Sequence, residues 1–204
     1  MRIDGGSRAR RAFRRSTCWL MPLLGALLFS IHCGGGGGGG GTTSAPHFTC
    51  AGAVAPIADH VAFSCPATSG SPITIAVKIG GPSVATDIYG IKFDLVTDPA
   101  IATFLPPAVQ GTFLDRDNNP VTVQADVSPG DPGRVLVSIT RLGAVSGLQV
   151  LASQELVLTL GFGSTGMNGM TNLTFQNAEA VDSSSPPAPI AGITFDGPLS
   201  LTYQ

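Results

Sequence analysis

Asp87-Ile-Tyr-Gly-Ile-Lys-Phe-Asp-Leu-Val-Thr-Asp-Pro99 is the stretch on which the fold turns. Tyr89, Ile91, Phe93 and Leu95 alternate with Gly90, Lys92, Asp94 and Val96, the period of a strand with one face in a core and one largely in water. Asp98-Pro99 ends the run, because Pro99 has no N–H to offer a ladder and disfavours a helical conformation at Asp98.

Outward from this strand the same period recurs. Upstream, Ile73, Ile75, Val77 and Ile79 alternate with polar or small residues until Gly80-Gly81-Pro82. Downstream, Ile101 to Leu114 is extended but interrupted by Pro106-Pro107, which fits an edge or a bulge. After the turn Asp115–Pro120, Val121 to Val127 alternates, Pro129-Gly-Asp-Pro-Gly133 turns the chain, and Val135, Val137 and Ile139 answer with one apolar face. Leu156, Leu158, Leu160 and Phe162 follow, then Leu173-Thr-Phe175, Ile193-Thr-Phe195, and Leu199, Leu201 and Tyr203. Past Cys33 no stretch keeps a helical period beyond a short turn near Ala144 to Ser153. Eight or nine strands separated by Gly/Pro turns predict an all-β fold, an antiparallel β-sandwich of jelly-roll type, over residues 71–204.

Gly90-x-x-Phe93-x-Leu95-x-x-Asp98-Pro99 resembles the second strand of cohesin modules, receptor domains that hold dockerin-bearing proteins on bacterial surfaces. The resemblance extends over about Ser71 to Gln204: the long hairpin Val121 to Thr140, the Gly-rich loop, the strand Leu156 to Phe162, and the closing Phe175-Gln-Asn-Ala-Glu-Ala180 and Gly197-Pro-Leu-Ser-Leu-Thr-Tyr203. It implies a non-catalytic binding module with a dockerin-type or polysaccharide-associated protein as partner. It further implies that one sheet face carrying the Val121–Thr140 hairpin meets that partner. The outward residues of the hairpin, Thr122, Gln124, Asp126, Leu136, Ser138 and Thr140, are then the candidate face, with Leu136 the apolar member among polar neighbours. A structural or adhesive sandwich without such a partner, and a direct carbohydrate-binding domain, are the alternatives.

The N-terminus reads as an export signal. Met1 to Arg15 is basic, and the apolar run Cys18 to Ile31 is too short to span a membrane and long enough for a signal h-region. Arg10-Arg11 and Arg14-Arg15 lack the hydrophobic pattern of a twin-arginine signal, so ordinary export is expected. Cys33, at the end of residues 1–33, looks like the acylated cysteine of a bacterial lipoprotein, although Ser30-Ile31-His32 is not the usual box before it. A cleaved signal with a linker behind it is the other reading. Residues 34–46 form a linker opened by eight glycines, Gly34 to Gly41, that span roughly 15 Å as a flexible coil. The expected location is the cell envelope or cell surface, with the membrane met only through a lipid anchor.

With the signal removed, Cys33, Cys50 and Cys65 remain. If Cys33 carries lipid, Cys50 and Cys65 are left to pair in an oxidising compartment, within an N-terminal extension over residues 47–70. A metal site built from both cysteines and His47 or His60 is the competing reading, but it lacks any close Cys-Cys or His-His spacing. Charge narrows the partners further. Past Cys33 five basic residues stand against twelve acidic ones, a net −7 that repels phosphate backbones and excludes nucleic acid as a partner.

Three motifs test for chemistry. Gly161-x-Gly163-x-x-Gly166 spells a dinucleotide fingerprint after a strand, with Asp182 downstream, but no helix follows to hold a pyrophosphate, so it reads as a glycine-rich hairpin loop. Asp115, Asp117, Asn119 and Asp126 have calcium-loop spacings, yet Pro120 replaces the required glycine and Asp126 falls in a strand, leaving a polar turn. His47 and His60, both expected outside the sandwich, have no Gly-x-Ser-x-Gly elbow to serve. No catalytic residues, metal or cofactor are expected. Trp19 is the only tryptophan and lies in the signal, and Tyr89 and Tyr203 are the only tyrosines, so the mature chain offers no aromatic platform for sugar stacking.

Overall fold

The computed structural model describes residues 44–204. Its strands are β1 (Phe48–Ala51), β2 (His60–Ser64), β3 (Ser69–Gly70), β4 (Ile73–Gly80), β5 (Gly90–Val96), β6 (Ala102–Gln110), β7 (Val121–Ser128), β8 (Asp131–Arg141), β9 (Gln154–Ser164), β10 (Gly169–Val181), β11 (Thr194–Asp196) and β12 (Leu199–Tyr203). They form two sheets, one in the order β3-β1-β12-β10-β5-β8-β7 and one in the order β11-β2-β4-β9-β6. From β4 to β12 the chain passes repeatedly from one sheet to the other, interrupted by the β7–β8 hairpin, so the two layers are built together.

β5, the strand that decides the reading of the sequence, lies inside the seven-stranded sheet between β10 and β8. Ile91, Phe93 and Leu95 are almost wholly buried, while Lys92 and Asp94 stand on the opposite face. They pack with Val135, Val137 and Ile139 of β8 and with Ile73, Ile75, Val77 and Ile79 of β4 in one apolar core. Burying a Val, Leu, Ile or Phe side chain stabilises by about 1.5–3 kcal/mol, so this interior is what holds the sheets face to face. An aromatic cluster closes one part of it: Phe175 stacks on Phe63 at 3.9 Å and meets the edges of Phe93 and Phe195 at 4.9 and 5.4 Å.

The Asp98-Pro99 turn is pinned from two sides. Thr171 Oγ accepts from the Asp98 amide at 2.7 Å and shares a 3.0 Å hydrogen bond with the Thr97 hydroxyl, and the Thr97 amide donates to Gly133 O at 2.8 Å. A Cβ at Gly133 would lie 2.6 Å from Thr97 O and 3.0 Å from Pro99 Cδ, so the Pro129–Gly133 turn reaches the Asp98-Pro99 turn only with a glycine there. The Pro106-Pro107 stretch is both edge and bulge: β6 is the last strand of its sheet, and its register to β9 shifts between Leu105 and Val109.

Several expectations need correction. Residues 71–204 hold nine strands, β4 to β12, as expected, but the stretch 47–70, read as an extension, supplies three more of the twelve among the described residues. β1 pairs with β12, and β2 with β4, burying Phe48, Val61 and Phe63 in the common core. The local pattern there is weak because β1 to β3 are short. Sheet pairing is not antiparallel throughout: β11 runs parallel to β2. Leu156 is not in phase with Leu158, since a register shift opposite Val77/Lys78 gives the buried position to Val157. The Gly161–Gly166 segment is not a hairpin loop either: Gly161 to Ser164 are the paired end of β9, and the chain then crosses to β10 in the other sheet. The signal segment, Cys33 and Gly34 to Gly41 lie outside the described residues.

Candidate functional site

Antiparallel pairing of β7, β8, β5 and β10 sets the outward side chains of the seven-stranded sheet in rows. Asp126, Leu136, Asp94 and Gln176 form one row, Gln124, Ser138, Lys92 and Glu179 the next, and Thr122, Thr140, Gly90 and Val181 a third. The six residues that the sequence nominates therefore lie on one surface, paired two by two as Thr122 with Thr140, Gln124 with Ser138, and Asp126 with Leu136. This follows from the period of two, which puts every second residue of a hairpin on one side. Their inward neighbours Val135, Val137 and Ile139 fix the register, because a slip of one residue would turn them into water.

β5 and β10 add residues that the sequence does not single out. A shallow depression of about 410 Å³ is lined by Gln124, Asp126, Leu136 and Ser138 together with Lys92, Asp94 and Asn177. Asn177 reaches it through a bulge in β10, where its backbone takes φ 47°, a conformation Asn tolerates better than most residues. The Asn177 side-chain amide donates to Asp94 at 2.6 Å. No local signal in the sequence marks that bulge.

Apart from Asp126, the charges on this face are matched. Lys92 Nζ is 2.7 Å from Glu179, and Arg134, on the same side of β8, is 3.1 Å from Asp94 and 3.3 Å from Asp131. Asp126 has no hydrogen bond or ion pair with any of the described residues. Leu136 beside it is 42% exposed.

The other singled-out residues serve the fold. Cys50 on β1 and Cys65 just past β2 are joined as a disulfide, with Cα atoms 6.4 Å apart, tying one sheet to the other. His60 lies on β2 inside the sandwich, contrary to expectation, and its Nδ1 is 2.9 Å from Asp196 of β11. Among the described residues it hydrogen-bonds to no Ser, Thr or Cys side chain. In the turn before β7, Asp115 accepts from Gln110, while Asp117 receives two hydrogen bonds from Arg141 at 2.6 and 2.9 Å. Among the described residues Arg141 is the largest fully buried side chain and its Nε has no partner, while its guanidinium also donates to Leu114 O at 2.6 Å. Hydrogen bonding from Arg141, before all other causes, holds the Asp117 carboxyl far below the usual carboxylate range. The calcium-like spacing thus belongs to a turn clamped over a buried guanidinium, and Asp126 stands apart from it on β7.

No family model and no curated protein matches the sequence. Among solved structures, the fold is similar to a non-cellulosomal cohesin from the hyperthermophilic archaeon Archaeoglobus fulgidus, at 20% identity over 74% of this chain and 88% of that one, with a TM-score of 0.43. It is also similar to a type II cohesin domain from the cellulosome of Acetivibrio cellulolyticus, at 15% identity over 68% and 91% of the two chains and a TM-score of 0.48. A third is the cohesin module from a Clostridium perfringens family 33 glycoside hydrolase, at 13% identity over 78% and 96%, with a TM-score of 0.41. All three are cohesin modules.

Proposed function

We propose that this protein is a non-catalytic binding module whose β7–β8–β5 face docks another protein. One observation carries the reading: the six nominated residues share one outward surface in register, and four of them, Gln124, Asp126, Ser138 and the exposed Leu136, line a depression in it. Interfaces take most of their binding energy from a few residues ringed by polar groups, and Leu136 has Gln124, Asp126 and Ser138 around it in that way. Following the resemblance read in the sequence, the partner is a dockerin-type protein, in a setting of polysaccharide breakdown. The chain is exported through residues 1–33 and held at the cell envelope by lipid on Cys33, with the glycine run as spacer.

The test is affinity capture from the secreted proteins of the source organism. A protein retained by the wild type and by Val84→Asp, an exposed position between β4 and β5, but lost with Leu136→Asp, supports the docking face. Equal retention by all three contradicts it. Fatty-acid labelling that disappears in Cys33→Ser checks the anchor, and unchanged labelling refutes it.

A direct carbohydrate site is less well supported. Sugar recognition by stacking needs an exposed aromatic, and the only aromatic lining the depression, Phe93, is 2% exposed and points into the core.

A further inference from the structure

We infer that the partner presents a basic side chain, lysine or arginine, next to an aliphatic or aromatic one, and that Asp126 receives the cation while Leu136 receives the apolar group. This rests on the reading of the β7–β8–β5 face as the docking surface and specifies the chemistry of what docks there.

The argument is one of unmatched charge. Across the depression both cations are engaged, Lys92 by Glu179 at 2.7 Å and Arg134 by Asp94 at 3.1 Å. Asp94 is also satisfied by Asn177 at 2.6 Å. Asp126 alone on this face is a carboxylate with no neighbour to offset it among the described residues, and it stands directly across the β7–β8 ladder from Leu136. A partner closing over the two would strip water from that carboxylate, a cost recovered only if the partner brings a donor, best a charged one. An acidic or purely apolar partner would leave Asp126 desolvated and unpaired, which selects against it. The net charge of −7 beyond Cys33 adds long-range attraction for a basic partner and repulsion for an acidic one.

Asp126 is exposed and, among the described residues, bound to nothing, so it can be changed without touching the core. The experiment selects a randomised peptide display library against the immobilised chain, as wild type, Asp126→Asn, Asp126→Lys and Leu136→Ala, each shown to melt with the wild type. Expected from the wild type are peptides that join Lys or Arg to a large apolar residue. Their affinity falls about tenfold with Asp126→Asn and with Leu136→Ala, weakens as salt rises, and gives way to acidic peptides when Asp126→Lys is the target. Peptides that need Leu136 but ignore Asp126 overturn the charge assignment and leave the docking face standing. Peptides that ignore both substitutions, or a library that yields no binder, overturn the docking face as well.

Discussion

Replacing Cys50 and Cys65 together by serine removes the one covalent tie between the sheets among the described residues. The cysteines are 15 residues apart, and a closed loop of that size stabilises the folded state by about 3 kcal/mol through the entropy it takes from the unfolded chain. The rest of the joint survives the change. β1 stays paired to β12 over Phe48 to Ala51, β2 stays paired to β4 over Val61 to Ser64, and Phe48 and Phe63 keep their places in the core. The expected result is therefore a folded domain with lowered stability, not a disordered one. For a domain of this length, about 3 kcal/mol corresponds to a fall in Tm of roughly 6–12 °C. Urea unfolding followed by far-UV circular dichroism suits the measurement, since Trp19 is the only tryptophan and lies outside the described residues. A loss below about 1 kcal/mol would refute the loop-entropy estimate. A double variant without sheet signal would refute the claim that β1 and β2 are held by pairing and burial.

Other substitutions probe the packing and the buried charge. Phe175→Ala removes the ring shared by Phe63, Phe93 and Phe195 and should cost about 3 kcal/mol by the same urea assay. Gly133→Ala sets a methyl against Thr97 O and Pro99 and should cost about 1–3 kcal/mol, read as a lower urea midpoint. Arg141→Met removes a buried charge and leaves Asp117 in partial contact with water, whereas Asp117→Ala leaves Arg141 buried without its counter-ion. The second variant should unfold at lower urea than the first. Because the folded Asp117 carboxyl titrates below its ordinary value of 3.8, its contribution is present above that pH and is lost as pH falls beneath it. Asp182, lowered by its hydrogen bond from Ser184, acts in the same sense. Wild-type stability should drop on acidification below about pH 4, and Asp117→Asn should flatten that drop.

The parts of the fold visible in the sequence are those where alternation is local and uninterrupted. Ile73 to Ile79, Ile91 to Leu95 and Val135 to Ile139 carry the core on a period of two, and the face opposite Val135, Val137 and Ile139 follows from the same count. What stayed hidden depends on partners distant in sequence. β1 has four residues and gains its place from β12, some 150 residues away, so no window around Phe48 shows why that phenylalanine is buried. Bulges broke the count at Val157 and at Asn177, and the second of these brings an amide to Asp94 at the edge of the depression. Arg141 is the last residue of β8 and falls on the inward side of the period set by Val135, Val137 and Ile139. That it is buried, and that Asp117 meets it, depends on how the turn before β7 folds back.

Hydrogen exchange of the chain with and without its captured protein partner addresses the docking surface most directly. Slower exchange confined to the β7–β8 hairpin and β5, from Thr122 to Asp126, Leu136 to Thr140 and Lys92 to Asp94, is the expected result. Protection on β6, β9 and β4 instead, with the β7–β8 hairpin unchanged, would place the partner on the opposite sheet and contradict the account.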